Sequence, residues 1–464
     1  MLRGRYTPVD LFALVPALAL RFEPELAELD RLLDDDQLFQ QVKADLSRRR
    51  PRTSETGRPS TPVEAILRLL VIQHLYQWSY AETEHFVGDS LVLRQFCRLG
   101  LERVPHSTTL LRWANLLQPQ TLHRLLDRVT ELAWSLKVTH GRKLRIDSTV
   151  VPTAIHYPTD SSLLADGVRV LSRLVRRAGD LLGRGTEPVF RDRTRSAKRL
   201  TRRIDATTAP HASKQSQAER PALYQRLLGI TQASLRQAEQ VQAWLADLPA
   251  AAVGRVRAAL EYFQPLVRQA CSQAERRVLR GQSVPAAEKL VSLFEPQTVV
   301  IRRGKAYVPA EFGRKLALDE VDGGLVTAYT VLAGNPPDAE HLANSLAQHQ
   351  ARFGQPPEVL AADRNFFTLD NERRAQAAGV RTIALPRQGP LSPARRRFEH
   401  RPAFRRAYRF RAGVEGRISL LKRRFGLARC RYHGHAGLER WVGLGLLAHN
   451  LRQISRTVAA RRAA

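Results

Sequence analysis

Apolar residues recur at helical spacing through the first 135 positions, and the elements they predict are short. Pro24 to Leu46 predicts one acidic amphipathic helix, followed by a polar Pro/Ser/Thr linker from Arg48 to Ser60. Thr61, Pro62 and Glu64 predict an N-cap, a first-turn proline and a capping-box glutamate ahead of the apolar run Ala65 to Tyr76. Ser79 and Glu82 predict a second capping box, and Ser107 to Trp113 a further helix. Several short helices joined by tight polar turns suit a helix-turn-helix type DNA reader whose last helix enters the groove, and on periodicity alone an ordinary helical bundle equally well.

The pattern turns to alternation after about residue 140. Lys143 to Val151 predicts a strand with Asp147 in its middle. From Asp160 to Pro296 the periodicity is helical again, interrupted by the arginine-rich stretch Arg191 to Arg220, which predicts a mobile connection. Strands return at Val299 to Val308 and Lys315 to Val321, and Asp322-Gly-Gly predicts a hairpin into Leu325 to Leu332. A helix from Asp338 to Gln350, the strand Glu358 to Ala362 ending at Asp363, a helix from Leu369 to Ala378 and the strand Val380 to Leu385 follow. A basic helix carrying Glu415 and an apolar helix over 437–451 complete the chain.

Composition changes the picture in one respect. The chain of 464 residues carries a formal net charge of +30, with arginine spread through the segments predicted to fold. Such a surface attracts polyanions and gains affinity by releasing counterions, so nucleic acid is the expected partner and a membrane is not. The apolar stretch Leu11 to Leu20 has two prolines nearby or within it and runs straight into an acidic helix-like segment, so neither a signal peptide nor a membrane span is expected. Cys97, Cys271 and Cys430 are odd in number and widely separated, which fits a reducing cytoplasm better than a disulfide framework. The cluster Cys430, His433 and His435 lacks a fourth ligand at a familiar spacing, so zinc is not expected there.

Tyr408, Arg411, Glu415 and Lys422 fall at offsets of 3, 7 and 14 residues, on one face of a helix. A carboxylate flanked by a phenol, a guanidinium and an ammonium suits a site that holds a metal ion beside a phosphate backbone. The spacing resembles the Y-x2-R-x3-E-x6-K signature of the DDE transposases of bacterial insertion sequences, the IS4/IS5 grouping. The N-terminal Gly-Arg-Pro-Ser-Thr-Pro, Tyr-Gln-Trp-Ser-Tyr-Ala-Glu-Thr-Glu and His-Ser-Thr-Thr-Leu segments are similar to the same group.

That resemblance implies an α/β fold: a ribonuclease H-like catalytic core with a helical N-terminal DNA-binding region and a helical insertion. The corresponding plan is a helical segment and linker at 1–57, a helix-turn-helix-like DNA-binding region at 58–135, a catalytic domain at 140–160 plus 297–455, and a basic insertion at 161–296. Asp147, Asp363 and Glu415 are the expected catalytic carboxylates and metal ligands, holding two Mg2+ ions for which Mn2+ can substitute. Tyr408, Arg411 and Lys422 are the expected DNA contacts, with no role for Arg411 or Lys422 in metal affinity. Arg364 stands where the family has a small residue. Asp160, Asp166, Asp319, Asp322 and Asp370 are rival carboxylates expected to serve as caps. Arg417, Arg423, Arg424 and the run Arg395 to Arg397 are expected to extend the positive surface.

The activity implied is cleavage at the ends of an insertion sequence and joining of the 3′ ends to target DNA, by a homodimer or higher assembly on double-stranded DNA in the bacterial cytoplasm, at the nucleoid. A domesticated DNA-binding protein of the same fold, without catalysis, is the alternative.

Overall fold

The computed structural model describes residues 2–5, 22–48, 60–182, 190–209, 211, 213–301 and 310–464. They fall into two compact units, Met1–Ala154 with Arg314–Ala464, and Ile155–Gly313.

The first unit begins with helices α1 (Pro24–Leu33) and α2 (Asp36–Ser47) where one helix is expected. The break is electrostatic. Asp34 pairs with the buried guanidinium of Arg68 at 2.5 Å, while Asp35 caps α2 by accepting from Leu38 N and pairs with Arg128. Helix α3 (Val63–Tyr76) is buried nearly all round, as its apolar sequence requires. The box predicted from Thr61 does not form: Pro62 is the N-cap, without a side-chain bond, and the Glu64 carboxylate faces Arg68 and Arg98 instead. The box at Ser79 and Glu82 does form, at the start of α4 (Tyr80–Asp89). Helices α5 (Leu91–Phe96), α6 (Ser107–Ala114) and α7 (Pro119–Ser135) complete this region.

The sheet that follows is mixed. Strand β1 (Lys143–Pro152) runs parallel to β5 (Val359–Ala362), and β5 parallel to β6 (Thr382–Ala384). On the other side of β1 lies β3 (Glu311–Val321), which pairs antiparallel with β4 (Leu325–Val331) through the Asp322-Gly-Gly turn. Gly323 and Gly324 take φ of 81° and 76°, and the Asp322 carboxylate accepts from His140 N and Lys143 N, fixing the hairpin to the start of β1. Side chains alternate along β1. Leu144 and Ile146 enter the core shared with α1 to α7, which sends Arg145 and Asp147 to the opposite face.

Helices α13 (Leu342–Phe353), α14 (Leu369–Ala377), α15 (Pro393–Glu399), α16 (Pro402–Arg424) and α17 (Gly434–Ala463) lie among and beyond these strands. α16 packs on β1, β5 and β6, and α17 packs on α1, α3, α7 and β4. Asn450 of α17 exchanges two hydrogen bonds with the Val326 backbone, donating to O at 2.7 Å and accepting from N at 3.1 Å.

The second unit is a helical bundle of α8 (Asp160–Leu182), α9 (Thr194–Ala206), α10 (Lys214–Ala218), α11 (Arg220–Ala246) and α12 (Ala250–Ala274) with its own apolar core. Its short strand β2 (Val299–Ile301) pairs with Glu311 to Gly313; the rest of the strand expected to Val308 lies outside the described residues. The stretch Arg191 to Arg220, expected to be mobile, contains α9, which buries Ala197, Leu200 and Ile204 against the bundle. Asp160 does not act as a simple cap: its carboxylate accepts from Gln273 at 2.8 Å and Arg277 at 2.7 Å, tying α8 to α12 and the turn after it.

Candidate active site

Three of the expected residues meet at one guanidinium. Asp147 leaves the middle of β1 on the face opposite the N-terminal core, Asp363 follows the last residue of β5, and Arg411 and Glu415 lie one turn apart on α16. Arg411 Nη2 is 3.1 Å from Asp147 Oδ2 and 3.8 Å from Asp363 Oδ2, and Nη1 donates to Glu415 Oε1 at 2.8 Å. The parallel pairing of β1 with β5 explains the meeting of the two aspartates, because it aligns Ile146 with Ala362, each the residue before an aspartate.

Exposure grades across the cluster. The Asp147 and Arg411 side chains are 13% and 11% exposed, Asp363 is 29%, and Glu415 is 70%. Burial pushes the Asp147 carboxyl up to about 6; Arg411 and the Ser148 N–H oppose that rise, and the charges of Asp363 and Asp338 add to it. Burial also works against the Arg411 charge, but the three carboxylates together raise its pKa. Asp363 accepts from the Arg364 N–H at 2.6 Å, so the unexpected Arg364 side chain leaves the carboxylate's own turn intact.

Oxygen donors alone suit a hard divalent cation, and a positive side chain already rests among them, so the donor set fits such an ion. Among the described residues, no group of three or more His, Cys, Asp or Glu stands close enough to hold a metal as placed. Glu415 is turned to solvent against Arg411.

Tyr408 is half-buried, stacked on Phe404 at 6.4 Å between ring centroids, and lines a recess of about 720 Å³ beside Asp363. Arg364, Arg387, His400, Arg405 and Arg409 line the same recess, giving it a strongly basic wall. Lys422 is half-buried, two turns beyond Glu415 on the same helix.

A second charged layer lies under α16, and the sequence reading missed it. Arg145 donates to both oxygens of the fully buried Glu320 at 2.9 and 2.6 Å, and to the Phe410 carbonyl of α16 at 2.6 Å. Arg417 donates to Glu320 at 3.0 Å and to His449 Nε2 at 2.8 Å. Burial and the nearby Arg417 charge push the His449 pKa down to about 3, so the ring is neutral and accepts that bond. Arg417 is therefore a clasp between α16, β3 and α17, not part of the positive surface expected of it. Arg395 is another correction, held by Glu372, Glu399 and the Leu385 carbonyl. Asp319, expected to be a cap, is a fully buried strand residue bonded to Ser345 and pushed up to about 7 by burial. The available signal was a charge inside an apolar strand: Arg145, Asp319 and Glu320 all break such runs.

No helix among the described residues is long and apolar enough to cross a membrane. A family model described as "Transposase domain (DUF772)" matches residues 19–116, and one described as "Transposase DDE domain" matches residues 312–451. The second segment contains Asp363, Tyr408, Arg411, Glu415 and Lys422; Asp147 lies outside both. The chain is 28% identical over 131 residues to "Uncharacterized protein ORF8 in nfe locus" of Rhizobium meliloti, an alignment covering 26% of this chain and 62% of that protein's length. No solved structure matches. Transposase family models thus match on both sides of β1, and the second of them, a DDE domain, covers the segment that carries Asp363 and Glu415.

Proposed function

We propose that the chain cleaves DNA at the ends of an insertion sequence of the IS4/IS5 grouping and joins the freed 3′ ends to target DNA. Asp147, Asp363 and Glu415 are the carboxylates of the reaction, on a ribonuclease H-like arrangement in which β4, β3, β1, β5 and β6 lie in that order. The observation that carries this reading is the meeting of all three carboxylates at Arg411 from three separate elements. A structural role explains such a cluster poorly, since burying one carboxylate beside others is costly.

Asp147, Asp363 and Glu415 would hold two Mg2+ or Mn2+ ions, which would supply activation of the attacking oxygen and an offset to charge on the leaving one. The chain's own residues do the rest. Asp147 and Asp363 hold their oxygens on adjacent strands, so their separation is fixed by the sheet. Tyr408 and the arginines of the recess face a DNA backbone, arginine by paired hydrogen bonds and tyrosine by stacking or its hydroxyl. Lys422 supplies a point charge further along α16. Residues 58–135 serve as the DNA-binding region, 161–296 as a basic insertion, and a homodimer or larger assembly acts on the paired ends.

The test is substitution without loss of DNA binding. Asp147→Asn, Asp363→Asn and Glu415→Gln are each expected to abolish cleavage of a terminal duplex in Mg2+ while binding persists. Full cleavage by any one of the three removes that residue from the site.

A further inference from the structure

Arg411 occupies the space that a cation bridging Asp147 and Asp363 would need. Its Nη2 stands between their carboxylates at 3.1 and 3.8 Å, and its Nη1 holds Glu415 at 2.8 Å. The side chain is 11% exposed, and its Nε is buried without a hydrogen-bond partner. One positive charge thus serves three negative ones. Both arms of the guanidinium are committed to carboxylates, so the two-pronged grip that suits a phosphate is not available in this arrangement. A second cation placed between the aspartates would also meet Arg411 as a like charge at close range.

We propose that Arg411 is a built-in competitor for the metal site. Its guanidinium neutralises the carboxylates of the metal-free protein and withdraws before a divalent cation can sit between them. Withdrawal releases the guanidinium to a DNA phosphate. Metal and DNA therefore favour each other's binding through one side chain, and by linkage the coupling is reciprocal. The inference rests on reading Asp147, Asp363 and Glu415 as metal ligands. It replaces the expectation from sequence that Arg411 leaves metal affinity untouched. A guanidinium that merely preorganised the carboxylates would have the opposite signature, since its removal would splay them and weaken metal binding.

The deciding experiment is a Mn2+ titration of the full-length protein without DNA, read by the loss of free-ion signal in electron paramagnetic resonance. Wild type, Arg411→Gln, Arg411→Lys and Asp147→Asn are compared, with thermal unfolding reporting the fold of each. Arg411→Gln is expected to bind Mn2+ roughly tenfold more tightly than wild type, from the loss of charge-assisted bonds that must otherwise be broken. Arg411→Lys, which keeps a charge and most of the stem, is expected to fall between them, and it decides the matter if the glutamine variant does not fold. Adding duplex DNA is expected to tighten Mn2+ binding to wild type and to leave Arg411→Gln little changed. Equal or weaker Mn2+ binding by a folded Arg411→Gln protein overturns the proposal while the metal site stands. Undiminished binding by Asp147→Asn removes the metal site itself, and the proposal with it.

Discussion

The Arg145 guanidinium passes beneath α16 at Gly413, so closely that a β-carbon on Gly413 would collide with Arg145 Nη1. Gly413 sits between Arg411 and Glu415, in a helix interior where alanine is ordinarily better by about 1 kcal/mol. Arg145 cannot simply move aside, because Glu320 and the Phe410 carbonyl hold it. Gly413→Ala is therefore expected to lower the thermal midpoint despite its gain in helix propensity, and to lower cleavage more than binding by shifting Arg411 and Glu415. A midpoint above wild type would show that α16 is not clamped there.

Glu320 carries the larger stake. It is fully buried and faces two arginines, so Glu320→Gln takes from both guanidinium groups the carboxylate charge they share. Breaking one side of a buried ion pair costs about 3–5 kcal/mol. Denaturant unfolding should show a loss of that order. Arg417→Ala should cost less, since Arg145 then still pairs with Glu320, and the two changes together should be clearly non-additive.

Much of this was legible in the chain. Strand β1, the Asp322-Gly-Gly hairpin, α14 and the helix bearing Glu415 follow from alternation, turn chemistry and helical spacing, all local signals. The offsets of Tyr408, Arg411 and Glu415 placed them on one helix face before any fold was known. What escaped was pairing at long range. Spacing shows that Arg411 and Glu415 share a face, but not that Arg411 turns inward to Asp147 and Asp363. Nor does it show that Arg417 and Arg395 are consumed by buried or half-buried glutamates. Helix α9 escaped for another reason: Ala197, Leu200 and Ile204 have helical spacing, but the arginines around them outweigh it in any average.

Asp147 makes its own contribution to the pH dependence of stability, beside that of the buried Asp319. The Asp147 carboxyl is raised from 3.8 to about 6 by burial, so folding favours the protonated form. Stability is then greatest below the unfolded value and is lost as pH rises from about 4 through about 6, by on the order of 3 kcal/mol. Asp147→Asn removes the titrating group. Measured in a chelator, its thermal midpoint should exceed that of wild type at pH 7.5, with the gap closing towards pH 4, although the variant is inactive. A variant less stable than wild type at both pH values would mean that the Arg411 pair outweighs the burial of the charge.

Charge on the chain does not translate evenly into DNA contacts, and the structure separates the arginines that are spoken for from those that face outward. Arg395 and Arg417 are 13% and 16% exposed and bound to glutamates, whereas Arg405 and Arg409 are exposed on α16 and line the recess beside Asp363. Each phosphate neutralised by a protein cation steepens the fall of log affinity with log salt by about 0.9. Replacing Arg405 and Arg409 together with alanine should thus flatten that slope by roughly 1.8 while leaving the thermal midpoint close to wild type. Arg395→Ala and Arg417→Ala should do the reverse, lowering the midpoint with little change in slope. Binding of a fluorescent duplex between low and moderate salt measures the first quantity and a melting curve the second. An unchanged slope in the Arg405 and Arg409 double variant would move the DNA path off this face of α16, because two exposed arginines there would then be solvated charges and nothing more.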